Sequence, residues 1–277
     1  MITPRVGVVC RGDSRRGAAA PVAESYLVAK DGRATWLDGD AEQREVLEGR
    51  GVLAVVADGE GEDQEIARVA ATSSVRSLIK IWPAGVSDEP GRLAEFLSTA
   101  HTRMYWHARD RKARMGASLA VAWVDGTRLG WAEVGSARVW LWRDGRLTRL
   151  GHDRDKLSEQ RFVGGSQGLG DDSAVHMCPG VNVGVAVLQE GDQVLLATDG
   201  LWRWVDEPSA AQVLTHTDDP QASAVTCMER AVARGGTDHV TVAVIDLRPP
   251  RVARRDAGAV PEPRALRKDA PPVRQKG

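Results

Sequence analysis

At 277 residues the chain is long enough for one large domain or two modest ones, with a substantial buried core. Its 37 lysines and arginines balance 38 aspartates and glutamates, for a formal net charge of -1, so no global field selects nucleic acid or an anionic membrane. The three cysteines, Cys10, Cys178 and Cys227, form no CxxC pair, which argues against a zinc cluster or disulfide framework and fits a reducing cytoplasm.

The opening MITPRVGVVCRGDSRRG carries arginines but no long apolar stretch, so no signal peptide is expected. No run approaches the roughly eighteen apolar residues of a membrane span. A soluble, cytoplasmic protein follows as the expectation. ESYLVA, from Glu24, and GVLAVVAD, to Asp58, read as strands, and the acidic stretch between them as a long hairpin connection or a short surface helix. From Glu62 the period becomes helical through Ile66, Val69, Ala70, Val75, Leu78 and Ile79, with Pro83 ending the run. A second helix is opened by Asp88, with Pro90 in its first turn, and buries Leu93, Phe96, Leu97, Ala100 and Met104.

SLAVAWV and RLGWAEV flank Asp125-Gly126, and ARVWLWR and RLTRL flank Asp144-Gly145. Each pair reads as a hairpin closed by a tight primed turn. Val139 and Leu141 alternate with Trp140 and Trp142, as in a strand between a core and a second covering layer. The glycine-rich GGSQGLG at 164–170 lacks the lysine and spacing of a phosphate loop and reads as a connection. Strands in GVAVL and QVLLATD, helices near 209–215 and 221–233, and a last strand HVTVAVIDL complete the fold, an α+β layered architecture. Beyond Leu247 the Pro-, Ala- and Arg-rich sequence has no apolar period. It predicts a disordered tail over 249–277 after a single domain over 1–248.

Asp58, Asp199 and Asp238 each stand beside a strand-like run. Carboxylates at strand ends can converge on one cleft and hold a hard divalent cation. That is the pattern of a metal-dependent hydrolase.

Five segments in order resemble the PP2C-type (PPM) metal-dependent serine/threonine protein phosphatases: VVADGEG, MGASLAVAWV, VGSARVWLWRDGRLTRL, LLATDGLWRWV and TDHVTVAVIDL. The resemblance runs from about Arg11 to Leu247 and implies a layered β-sandwich of two antiparallel sheets flanked by helices, with a metal cleft at one end. It implies two Mn²⁺ or Mg²⁺ ions, bridged by Asp58, with the Gly59 carbonyl on one and Asp199 and Asp238 on the other. In-line attack of a metal-activated water on a phosphoserine or phosphothreonine would need no phosphoenzyme. The implied partners are a phosphoprotein substrate and a Ser/Thr kinase, with no nucleic acid or membrane, and the protein is expected to be a monomer.

The chain departs from the family's pattern around those aspartates. Where the first motif has Arg, Asn and Asp, residues 17–25 read GAAAPVAES and place Ala20, Ala23 and Ser25. The phosphate-gripping arginine is thereby missing and the phosphate-binding residue unknown, while Glu24 is kept as a second-shell candidate beside the metal. Glu60 and Glu62 stand in the metal turn as added ligands or as crowding groups. Ser136 replaces an aspartate used by bacterial relatives for a third ion, and His239 follows Asp238 as a solvent-facing or hydrogen-bonded loop histidine. The enzyme reading therefore has a rival: a catalytically weak or inactive pseudophosphatase that binds phosphoprotein or kinase.

Overall fold

The computed structural model describes residues 3–12, 23–38, 41–46, 51–79, 90–152 and 181–249. Pro83, Asp88, the motif position Ala20, the loop at 164–170 and the tail beyond Pro249 lie outside the described residues.

In chain order the elements are β1 (Arg5–Arg11), β2 (Glu24–Lys30), β3 (Arg33–Asp38), β4 (Ala41–Val46), β5 (Val52–Gly61), α1 (Gln64–Ile79), α2 (Pro90–Arg111), β6 (Met115–Asp125), β7 (Arg128–Val134), β8 (Arg138–Arg143), β9 (Arg146–Arg149), β10 (Asn182–Val187), β11 (Gln193–Ala197), α3 (Asp199–Trp202), α4 (Glu207–His216), α5 (Pro220–Ala233) and β12 (Val240–Asp246). The strands form two antiparallel sheets, ordered β1-β12-β11-β8-β9 and β10-β7-β6-β5-β2-β3-β4. Among the described residues no helix is long and apolar enough to cross a membrane.

The period of two assigns each side chain to a layer. Along β5, Leu53, Val55 and Ala57 pack toward α1 and α2, while Val52, Ala54 and Val56 fill the gap between the sheets. Along β12, Ala243 and Ile245 enter that gap, while Val240, Val242 and Val244 lie under α4 and α5. Val139 and Leu141 also enter the gap, and Trp140 and Trp142 turn to the helical side, as the alternation predicts. The result is four layers: helices, seven strands, five strands, helices.

Two elements differ from the expectation. RVGVVCR is the edge strand β1, paired with β12 from Arg5↔Asp246 to Arg11↔Val240. The acidic stretch after β2 holds a hairpin of its own, β3 with β4. Asp31 and Gly32, both at positive φ (51° and 75°), close β2 onto β3 as Asp144 and Gly145 (51° and 81°) close β8 onto β9.

Candidate active site

The same parity that sorts the core also assembles the site. Continuing Val52, Ala54 and Val56, Asp58 falls on the inter-sheet side of β5 at the end where the apolar ladder stops. Its register partners are Glu24 on β2 and Ser118 on β6, so both share its face. From the opposite sheet Thr241, in step with Ala243 and Ile245, donates its hydroxyl to Glu24 Oε2. Thr198, just after β11, supports Thr241 by accepting its backbone N–H at 3.0 Å. Glu24 is buried at 1 % exposure and bonds across the two sheets.

Asp58 and Gly59 line a cleft of about 370 Å³ with Glu60, Glu62, Asp238 and His239. Gly59 allows the main chain to pass close to its neighbours: a Cβ there would lie 1.9 Å from the Ala67 carbonyl oxygen. Gly59 N–H donates to the Ala23 carbonyl at 2.9 Å, which ties the turn to the start of β2. Gly200 is equally constrained, since its Cβ would lie 1.8 Å from the His239 carbonyl oxygen. This contact brings the Asp199 and Asp238 segments together. His239 is buried at 7 % exposure rather than facing solvent, and its backbone N–H donates to Asp238 Oδ1 at 2.9 Å. Glu62 accepts the Arg114 backbone N–H at 3.1 Å.

Elsewhere in the fold, buried carboxylates meet arginines: Asp246 meets Arg5 at 2.6 Å and Arg248 at 2.9 Å, and Asp192 meets Arg143 at 2.6 Å. The cleft carboxylates instead act largely on one another. Burial, then the Asp58 charge, holds Glu24 well above the ordinary carboxylate range, against the hydrogen bonds from Thr241 and Thr198. Burial, then Asp199, Glu60 and Asp238, raises Asp58 in the same way. Glu60 is raised by burial and Asp199. Asp199 is raised by burial and Asp238. One guanidinium, Arg203, opposes the shifts of Asp58, Glu60 and Asp199, with Nη2 at 2.7 Å from Asp199 Oδ2.

The donor set, hard oxygens in mutual repulsion with an exposed turn at Gly59, suits Mg²⁺ or Mn²⁺ in kind. As arranged, however, no group of three or more His, Cys, Asp or Glu side chains among the described residues is close enough to hold a metal ion. Asp199 is engaged by Arg203 instead. Ser136, expected where relatives place an aspartate, bonds through its N–H and hydroxyl to Ser118 Oγ at 3.0 and 3.2 Å.

The sequence reading did not single out Arg203, Thr198 or Thr241. The two threonines carried no signal beyond their place next to the aspartate motifs. Arg203 stands four residues after Asp199, a spacing at which a helical pair meets.

No protein-family model matches the chain. It is 32 % identical over 137 residues to protein phosphatase 2C homolog 1 of Saccharomyces cerevisiae, a match that covers 42 % of this chain and 48 % of the yeast protein. The match thus takes in about half the length of that relative. The structure of the Streptococcus agalactiae serine/threonine phosphatase superposes with a TM-score of 0.66 at 20 % identity, covering 88 % of this chain and 99 % of that one. The catalytic domain of the serine/threonine phosphatase PstP, in complex with two manganese ions, superposes with a TM-score of 0.62 at 21 % identity, covering 89 % and 100 %. The two-sheet sandwich is the fold of these phosphatases.

Proposed function

We propose that this chain, a divergent, bacterial-type relative of the PP2C phosphatases in sequence and fold, is a phosphatase that hydrolyses phosphoserine or phosphothreonine on proteins with two Mn²⁺ or Mg²⁺ ions. The observation that carries the reading is the cluster of buried, mutually repelling carboxylates at one end of the sandwich. Like charges gathered in a cleft destabilise the fold, and they are found where function needs them.

In this reading Asp58, the Gly59 carbonyl, Asp199 and Asp238 hold the ions, and Glu24 sits behind them as an acceptor for metal-bound water. Bound there, two divalent ions would acidify a water and neutralise the phosphoryl oxygens. The chain's own contribution is positional. The β2–β5 register sets Glu24 against Asp58, and the close approach of Gly59 to Ala67 presents the turn's backbone to the cleft. The contact of Gly200 with His239 keeps the Asp199 and Asp238 segments adjacent. A kinase that phosphorylates the same substrate is the expected signalling counterpart.

A second reading has its own observation. With Asp199 on Arg203 and no assembled group of three ligands, the same fold suits a pseudophosphatase that binds phosphoprotein without turnover. Hydrolysis of p-nitrophenyl phosphate and of a phosphothreonine peptide with Mn²⁺, beside Asp58→Asn and Asp199→Asn, separates the two. Metal-dependent turnover lost in both variants supports the enzyme. A folded protein with no turnover at any Mn²⁺ concentration supports the binding module.

A further inference from the structure

A phosphomonoester entering this cleft is a dianion approaching Glu24, Asp58, Glu60, Asp199 and Asp238. Metal ions offset that charge, but orienting phosphoryl oxygens also calls for a planar fork of N–H donors. By resemblance that fork belongs at Ala20, whose methyl group offers none.

Arg203 has the chemistry and the position. It caps the C-terminus of α3, and its Nη2 bonds Asp199 at 2.7 Å while the side chain remains 58 % exposed. The backbone below it is anchored. Trp202 Nε1 donates to the Ser136 carbonyl at 2.9 Å, and the Arg138 guanidinium stacks 3.4 Å from the centroid of the Trp202 ring. The helical turn is thus fixed while the long Arg203 stem is open to solvent and can swing about its own torsions.

We propose that Arg203 is the phosphate-binding side chain of this cleft, pairing with Asp199 while no divalent ion is bound and turning to phosphoryl oxygens once an ion takes that carboxylate. The proposal rests on the phosphatase reading of the same cleft. The competing account is an ordinary exposed i,i+4 pair, which would contribute little to any ligand.

The test compares the full-length chain with Arg203→Gln and Arg203→Lys, using circular dichroism to verify folding. Calorimetry measures Mn²⁺ binding first, then inorganic phosphate binding to the Mn²⁺-loaded protein. Removing the competing cation in Arg203→Gln should tighten Mn²⁺ binding about 2–5-fold. Losing the fork should weaken phosphate binding about 10–100-fold. Arg203→Lys, which keeps the charge without the fork, should fall between and serves as the comparison if the glutamine variant does not fold.

Phosphate affinity within about twofold of wild type in both variants overturns the proposal, as does Mn²⁺-loaded wild type that binds no phosphate. The failure of the two readings is distinguishable. Wild type that binds phosphate through Arg203 but never turns over leaves this site standing and removes the phosphatase. Turnover in Arg203→Gln with unchanged KM removes this site and leaves the phosphatase.

Discussion

Glu24 and Asp58 are direct register partners across the β2–β5 ladder, two acidic side chains on one face with Glu24 at 1 % exposure. Opposed like charges destabilise an antiparallel pair. The metal-free protein therefore carries its instability at a known place.

That instability has a definite sign with pH. Glu24, Asp58 and Asp199 are all raised in the folded state, so the fold binds their protons more tightly than the unfolded chain does. The associated stability is present below the ordinary carboxylate range of about 4 and is lost as pH rises through the raised folded values. The melting temperature of the metal-free protein should fall as pH climbs from mildly acidic to neutral, and Glu24→Gln should flatten the slope. A melting temperature that rises over that interval would contradict the assignment.

Glu24→Gln should also weaken Mn²⁺ binding, by about 10-fold, as changes behind a ligand shell commonly do. Titration calorimetry at neutral pH reads this directly. An unchanged Mn²⁺ affinity would show that Glu24 serves the fold alone.

Gly59→Ala places a methyl group 1.9 Å from the Ala67 carbonyl oxygen, where only backbone can yield. Overpacking of this kind costs about 1–3 kcal/mol. Denaturant melts of the metal-free protein should show the loss, independently of any effect on the ions.

Arg138 and Trp202 should prove coupled. With the guanidinium 3.4 Å from the ring centroid, a double-mutant cycle of Arg138→Ala and Trp202→Leu should return an interaction of about 0.5–2 kcal/mol. Additive losses would mean that the stack holds nothing in place.

Cys227 is buried on α5, and burial pushes its thiol up to about 12. A thiol that stays protonated is a poor nucleophile. Iodoacetamide at pH 8 should spare Cys227 in the folded protein and modify it in urea, with peptide mass spectrometry as the readout.

Much of this site was legible in the chain. Asp58, Asp199 and Asp238 stand beside runs whose burial a strand pattern reveals, and the hairpins at Asp125-Gly126 and Asp144-Gly145 announce themselves by composition. Asp31-Gly32 carries the same signal, but the polar sequence after it hid the hairpin that follows. Every residue of β4 is exposed, so no apolar alternation exists there to read. β1 begins and ends in arginine, and its alternation is blurred because only Gly7 is fully buried. The Glu24–Thr241 contact joins residues 217 positions apart, through a packing of sheets that no local pattern encodes. Arg203 stayed hidden for a different reason: a charged residue after a short helix looks like solvated surface until its partner is known.

The hydroxyl of Thr241 is the stitch by which the five-stranded sheet holds the seven-stranded one at the acidic end. On either side of that stitch the charges push outward. The sandwich is thus sprung at one mouth, and a cation lodged there would act as a clasp as much as a reagent. Amide hydrogens at the neighbouring ends of β2, β5 and β12 should exchange more slowly with Mn²⁺ present, while those at the far ends of the same strands stay as they were.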